Sequence, residues 1–236
     1  MDLQSFSPFS LVHIVTLAAC LLIAVATTLA GVRRLRYPRK LRLLRRMIVL
    51  GCVSVWLLNT SFWLHPNYFR WEGALPLQFC NLANLIGALA VARKIRVAQS
   101  VLYFWSFALC IWAFLTPSLD QGPARIGFWI FWAYHLFILI SVLFVLTVDR
   151  FRPAWRDCFS AIGITLSYMA LLAIINHFTG WNYGFVGAGS PIHPSPVDAL
   201  GPYPLRLVWM ALIGSAIFII LLLPWLRSHR FSLSET

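Results

Sequence analysis

The chain has 236 residues, of which 60% are hydrophobic, 15% aromatic and only 11% charged, with a mean hydropathy of +0.78. A soluble domain carries roughly 25% charged residues, so a water-soluble fold would be left with far more apolar surface than it could hide, and the aromatic content excludes disorder. Nineteen basic residues face only seven acidic ones, a formal net charge of +12, which in a chain this apolar reads as an orientation signal in a bilayer rather than as nucleic-acid affinity.

Seven apolar segments follow one another at about residues 10–32, 46–64, 74–92, 97–116, 127–148, 156–179 and 205–226. They are continuous rather than alternating and long enough to span as helices, so strands are not expected. No Lys or Arg precedes Arg33, and without a basic n-region the first run is expected to stay as a helix. The stretch 180–204 holds five glycines and five prolines and is expected to be a loop. No internal repeat is visible. The fold class is therefore all-α: a polytopic membrane bundle of seven transmembrane helices forming one integral membrane domain over 1–236.

The basic residues orient it. The first connection carries Arg33, Arg34, Arg36, Arg39, Lys40, Arg42, Arg45 and Arg46; the third Arg93, Lys94 and Arg96; the fifth Arg150, Arg152 and Arg156; the tail Arg227 and Arg230. The alternate connections hold only Arg70, Arg125 and Arg206. By the positive-inside rule this alternation puts the N-terminus outside and the C-terminus in the cytoplasm.

Polar side chains inside a membrane need a partner or a task. Gln78, Cys80, Asn81 and Asn84 lie near the start of the third run, and His135 lies about eight residues, or roughly 12 Å, below the start of the fifth. Asn59, Thr60 and Ser61 end the second run, Asn176 and His177 the sixth, and Trp181, Asn182 and Tyr183 follow. All fall in the outer half, which reads as a polar cavity open toward the outer leaflet. Cys80, Asn81, Asn84, Gly87 and Ala88 share one helical face, whose small residues let it pack inward. His135 shares a face with Phe128, Phe131, Trp132 and Leu139. Cys20, Cys52, Cys110 and Cys158 read as small hydrophobes, and His13, His65 and His177 as solvated interfacial groups. No cysteine pair has the CxxC spacing, and His135, His177 and His193 share no ligand spacing, so neither metal nor cofactor is expected.

The string Leu75-Pro76-Leu77-Gln78-Phe79-Cys80-Asn81-Leu82 resembles the LPLxxC signature of the YwaF-like bacterial integral membrane proteins. Leu115-Thr116-Pro117 and Tyr134-His135 resemble further parts of it. Asn182-Tyr183-Gly184-Phe185-Val186 resembles its NYxFL, and Leu200-Gly201-Pro202-Tyr203-Pro204 its LGPWP, with Tyr203 where tryptophan is usual. The likeness runs from about residue 45 to 226. That family is similar to the eukaryotic transmembrane protein 164 family, and there is a remote likeness to androgen-induced membrane hydrolases, which use a threonine and a histidine. The resemblance implies a multi-pass protein of the bacterial cytoplasmic membrane. It also implies acyl transfer between phospholipids through a cysteine and a histidine, which correspond to Cys80 and His135.

The residues and the resemblance select the same pair. A cysteine attacks only as thiolate and needs an adjacent base, which His135 can supply. Gln78, Asn81, Asn84, Asn182, Tyr183 and Trp132 are the candidates for binding the substrate, a phospholipid or lysophospholipid, and the loop 180–204 for capping it. Two other classes stay open: a transporter or lipid-binding protein using the same cavity without catalysis, and a non-catalytic accessory protein with a filled interior. The acidic residues sit near ends or loops, which argues against ion-coupled transport.

Overall fold

The computed structural model describes residues 3–69, 71–188 and 196–232. Besides a single helical turn at Trp71–Ala74, its helices are α1 (Leu11–Arg33), α2 (Pro38–Leu64), α3 (Phe79–Arg93), α4 (Arg96–Leu115), α5 (Ile126–Thr147), α6 (Trp155–Thr179) and α7 (Leu205–Ser232). All but α3 are long and apolar enough to cross a membrane, and no strand occurs among the described residues. The chain is an all-α, polytopic membrane protein. Arg70 and His193, named above, lie outside the described residues, as do the glycine and prolines of 189–195.

Two helices begin elsewhere than the hydropathy suggests. α2 starts at Pro38, eight residues before its apolar run, because proline at the first helical position has its φ already set and no N–H to satisfy. The basic residues Arg39–Arg46 are therefore helical. α3 starts at Phe79 rather than near 74. Pro76 keeps Leu75 out of the helical region, and Gln78 is extended (φ −69°, ψ 146°). The 15 residues of α3 extend about 22 Å, short of a hydrocarbon core of about 30 Å.

The chain forms two compact units, residues 1–151 and 152–236. In the first, α3 packs against α2, α4 and α5, and α1 against α5. α3 can sit there because it is made of small residues: Ala83, Asn84, Ala90 and Val91 are fully buried. Close approach is also built into α2. A Cβ on Gly51 would lie 2.0 Å from Phe137 Cε1, so α5 rests its ring on bare backbone there. Away from these contacts α1 exposes Leu11, Ile14, Val15 and Leu22, as a lipid-facing surface requires. The segment before α1 folds back on residues 120–124: Phe6 N–H donates to Asp120 O at 2.9 Å and Gly122 N–H to Gln4 O at 2.9 Å.

The basic ends of α2, α3 and α5 are tied by one carboxylate. Asp149, whose side chain is 1% exposed, accepts from Arg45 Nη1 at 3.0 Å and meets Lys94 Nζ at 3.1 Å. Arg45 also donates to the Val91 carbonyl. Lys94 and Arg150, which flank this cluster, both adopt left-handed φ, 55° and 54°.

In the second unit α6 packs against α7. Gly180 ends α6 in the left-handed conformation (φ 73°), where glycine costs least. Of the expected loop, the described residues 180–188 and 196–204 hold short 3₁₀ turns at Tyr183–Phe185 and Pro196–Leu200. Arg206 is buried, donates to the Gly187 carbonyl and faces Asp198 at 3.6 Å.

Candidate functional site

Cys80 is the second residue of α3, half-buried in its first turn. First-turn residues have no N–H bond within the helix, so this end of α3 is held by what surrounds it. Its sulfur lies 3.5 Å from the sulfur of Cys110. Cys110 is buried and closes a π-helical turn, Ser106–Cys110, that interrupts α4. His135 lies in the middle of α5, the helix on which α3 packs.

The imidazole is anchored at one nitrogen. Nδ1 lies 2.8 Å from the Phe131 carbonyl, one turn earlier in α5. A carbonyl only accepts, so Nδ1 carries a proton and donates it there. Phe131 packs on the ring with centroids 4.4 Å apart, and Tyr134 and Phe114 flank it at 5.6 and 6.1 Å. The result is an imidazole tethered through Nδ1 inside an aromatic box.

The polar face of α3 meets the same stretch of α5. Tyr134 donates its hydroxyl hydrogen to Asn81 Oδ1, and Asn59 Nδ2 of α2 reaches the same oxygen at 3.4 Å. With that oxygen taken, the Asn81 amide nitrogen is the group left to donate. Asn84 Nδ2 donates to the Tyr134 carbonyl at 2.9 Å, while its buried Oδ1 has no partner. Gln78 precedes the helix, half-buried, and its carbonyl accepts from Asn81 N at 2.9 Å.

Trp132, one turn above His135, is buried among Phe6, His13, Phe114 and Phe128, and its indole N–H has no partner. Cys80, Asn81, Asn84 and His135 thus come together where α3 faces α5, with Trp132 close by along α5. Asn182 and Tyr183 belong to the second unit and are engaged there. Asn182 Oδ1 accepts from Gly187 N at 2.9 Å, and Tyr183 exchanges two backbone bonds of 2.9 Å with the Asn176 amide.

Three groups escaped the sequence reading. Cys110 is buried as expected of a small hydrophobe, and its contact with the Cys80 sulfur is the part that was not foreseen. Tyr134 joins α3 to α5. His13 is 3% exposed rather than solvated: Nδ1 accepts from Phe9 N at 2.8 Å, which leaves Nε2 to donate to the Phe114 carbonyl at 2.9 Å. Its burial comes from the folded-back segment, since Phe6 packs edge-on at 5.6 Å. Among the described residues no cluster of His, Cys, Asp or Glu could hold a metal ion.

A cavity of about 290 Å³ opens at the head of α5, lined by Gln4, Tyr68, Asp120, Gln121, Arg125 and Ile126. It lies on the side that the basic pattern assigns to the exterior.

These features define a polytopic α-helical membrane protein. The sequence profile of the TMEM164 family matches residues 8–222, and the chain belongs to that family. No curated protein and no solved structure matches it.

Proposed function

We propose that the protein moves acyl groups between phospholipids of the bacterial inner membrane, with Cys80 as nucleophile and His135 as general base and acid. The observation that carries this is the bond between His135 Nδ1 and the Phe131 carbonyl, which occupies one ring nitrogen and leaves Nε2 as the one for a thiol. In the reaction, Nε2 takes the Cys80 proton and the sulfur attacks the ester carbonyl of a phospholipid. The tetrahedral oxyanion is held by donors at the head of α3, the Asn81 amide nitrogen among them. Collapse breaks the ester C–O bond, the lysophospholipid oxygen leaves with the proton from His135, and the acyl group stays on Cys80 as a thioester. A second lysophospholipid hydroxyl, deprotonated by His135, attacks that thioester and restores the thiol; water in its place gives hydrolysis.

The cavity at the head of α5 supports a phospholipid substrate. Arg125 suits a phosphate, and Asp120 with the Tyr68 ring suits an ammonium. Ile126 stands nine residues before His135, about 13 Å along the helix, so a headgroup there leaves its ester carbonyls deeper, toward the thiol. Arg125→Ala is expected to raise KM for phosphatidylethanolamine about tenfold, the scale of a charge-assisted hydrogen bond, with kcat changed less than twofold. Steady-state transfer in vesicles separates the two.

The reading is tested with purified protein in vesicles holding a phospholipid with a radiolabelled acyl chain and an unlabelled lysophospholipid. Label should move to the acceptor and be found on the protein in a hydroxylamine-sensitive bond. Label that never leaves its donor removes the proposal.

A further inference from the structure

We propose that Cys80 and Cys110 are an oxidisable dithiol, closed to a disulfide by a hydroperoxide. Two thiols in contact at 3.5 Å need to approach by only about 1.5 Å to bond, since a disulfide is about 2.05 Å long. Both ends are placed to yield. Cys80 sits in the first turn of α3, outside the regular hydrogen-bond ladder. Cys110 ends a π-helical turn, a wide turn whose hydrogen bonds are already out of α-helical register. Cys52 has no comparable partner: its contacts are Ser141 Oγ at 3.3 Å and the Phe137 carbonyl at 4.0 Å.

The chemistry balances with the hydroperoxide as the only co-reactant. Cys80, its proton lost to Nε2 of His135, attacks the terminal peroxide oxygen. An S–O bond forms, the O–O bond breaks, and the alcohol leaves with the proton from His135. Cys80 is then a sulfenic acid. The Cys110 sulfur attacks it, an S–S bond forms, the S–O bond breaks, and hydroxide leaves as water with the Cys110 proton. Two thiols are oxidised and one hydroperoxide is reduced to an alcohol and water. A dithiol reductant reverses the change. Disulfide formation asks nothing of the acyl-transfer reading. Only its consequence, withdrawal of the nucleophile, rests on that reading.

The full chain in phosphatidylethanolamine vesicles is treated with cumene hydroperoxide in one arm and hydrogen peroxide in another, then alkylated, digested with trypsin and weighed. The expected product joins peptides 71–93 and 97–125, at the sum of their masses less two hydrogens, and vanishes on reduction. A crosslink favoured by cumene hydroperoxide means delivery through lipid, and one favoured by hydrogen peroxide delivery through water; either supports the dithiol. Cys110→Ser should abolish the link and drive Cys80 on to sulfinic acid. Wild-type protein in which Cys80 stays reduced in both arms, or overoxidises as readily as in Cys110→Ser without linking, overturns the proposal. A crosslink in a protein that transfers no acyl chains would leave the dithiol standing and remove the acyltransferase; transfer without a crosslink would do the reverse.

Discussion

Cys80→Ala is expected to lower acyl transfer by about 10³-fold or more, the scale on which loss of an activated nucleophile acts. His135→Ala should cost about 10²–10⁴-fold, the usual range for a positioned general base. The double variant should be no slower than the worse single one, because a base without its nucleophile has nothing to activate. That non-additivity separates a working pair from two residues that happen to support one fold. Cys20→Ala is the control: Cys20 is buried in α1, belongs to neither the thiol pair nor the polar face, and should leave turnover unchanged. Initial rates in vesicles, taken beside melting temperatures, check all four proteins. Equal turnover by wild type and Cys80→Ala would end the catalytic reading.

The sequence carries the membrane class, all seven apolar helices and the convergence of α3 with α5, because composition and 3.6-residue periodicity are local properties. The face shared by Cys80, Asn81 and Asn84 does point inward, and Asn84 is fully buried. What stayed hidden depends on the third dimension. Cys110 was not assignable by helical arithmetic, since a π turn adds a residue and rotates all that follows by about 100°. The early start of α2 was masked by its charges, and the late start of α3 by a continuous hydropathy across Pro76. His13 reads as solvated until the first few residues fold back over it. Hydropathy also cannot show that Asn81 and Tyr134 bond each other, so a row of polar side chains reads as an open cavity when part of it is interhelical fastening. Asn182 and Tyr183 show the same effect locally, where the Asn176 amide occupies the Tyr183 backbone.

Asp149→Ala is expected to be the most damaging substitution outside the thiol site. The carboxylate is nearly inaccessible and holds Arg45 and Lys94, so its removal leaves the guanidinium of Arg45, 14% exposed, with only the Val91 carbonyl and the Phe144 ring beside it. Breaking a buried ion pair from one side costs about 3–5 kcal/mol, because the surviving charge stays desolvated. Lys94 is 59% exposed and recovers its hydration, so Lys94→Ala should cost under about 1 kcal/mol. The reverse removal, Arg45→Leu, leaves the carboxylate with Lys94 as its remaining cation and should cost less than Asp149→Ala. Combining Arg45→Leu with Asp149→Leu should recover much of the loss, since an apolar pair leaves no unpaired charge. Thermal unfolding in detergent, read with size-exclusion profiles, ranks the four variants. If Asp149→Ala melts with the wild type, the carboxylate does not hold α2, α3 and α5 together at their basic ends.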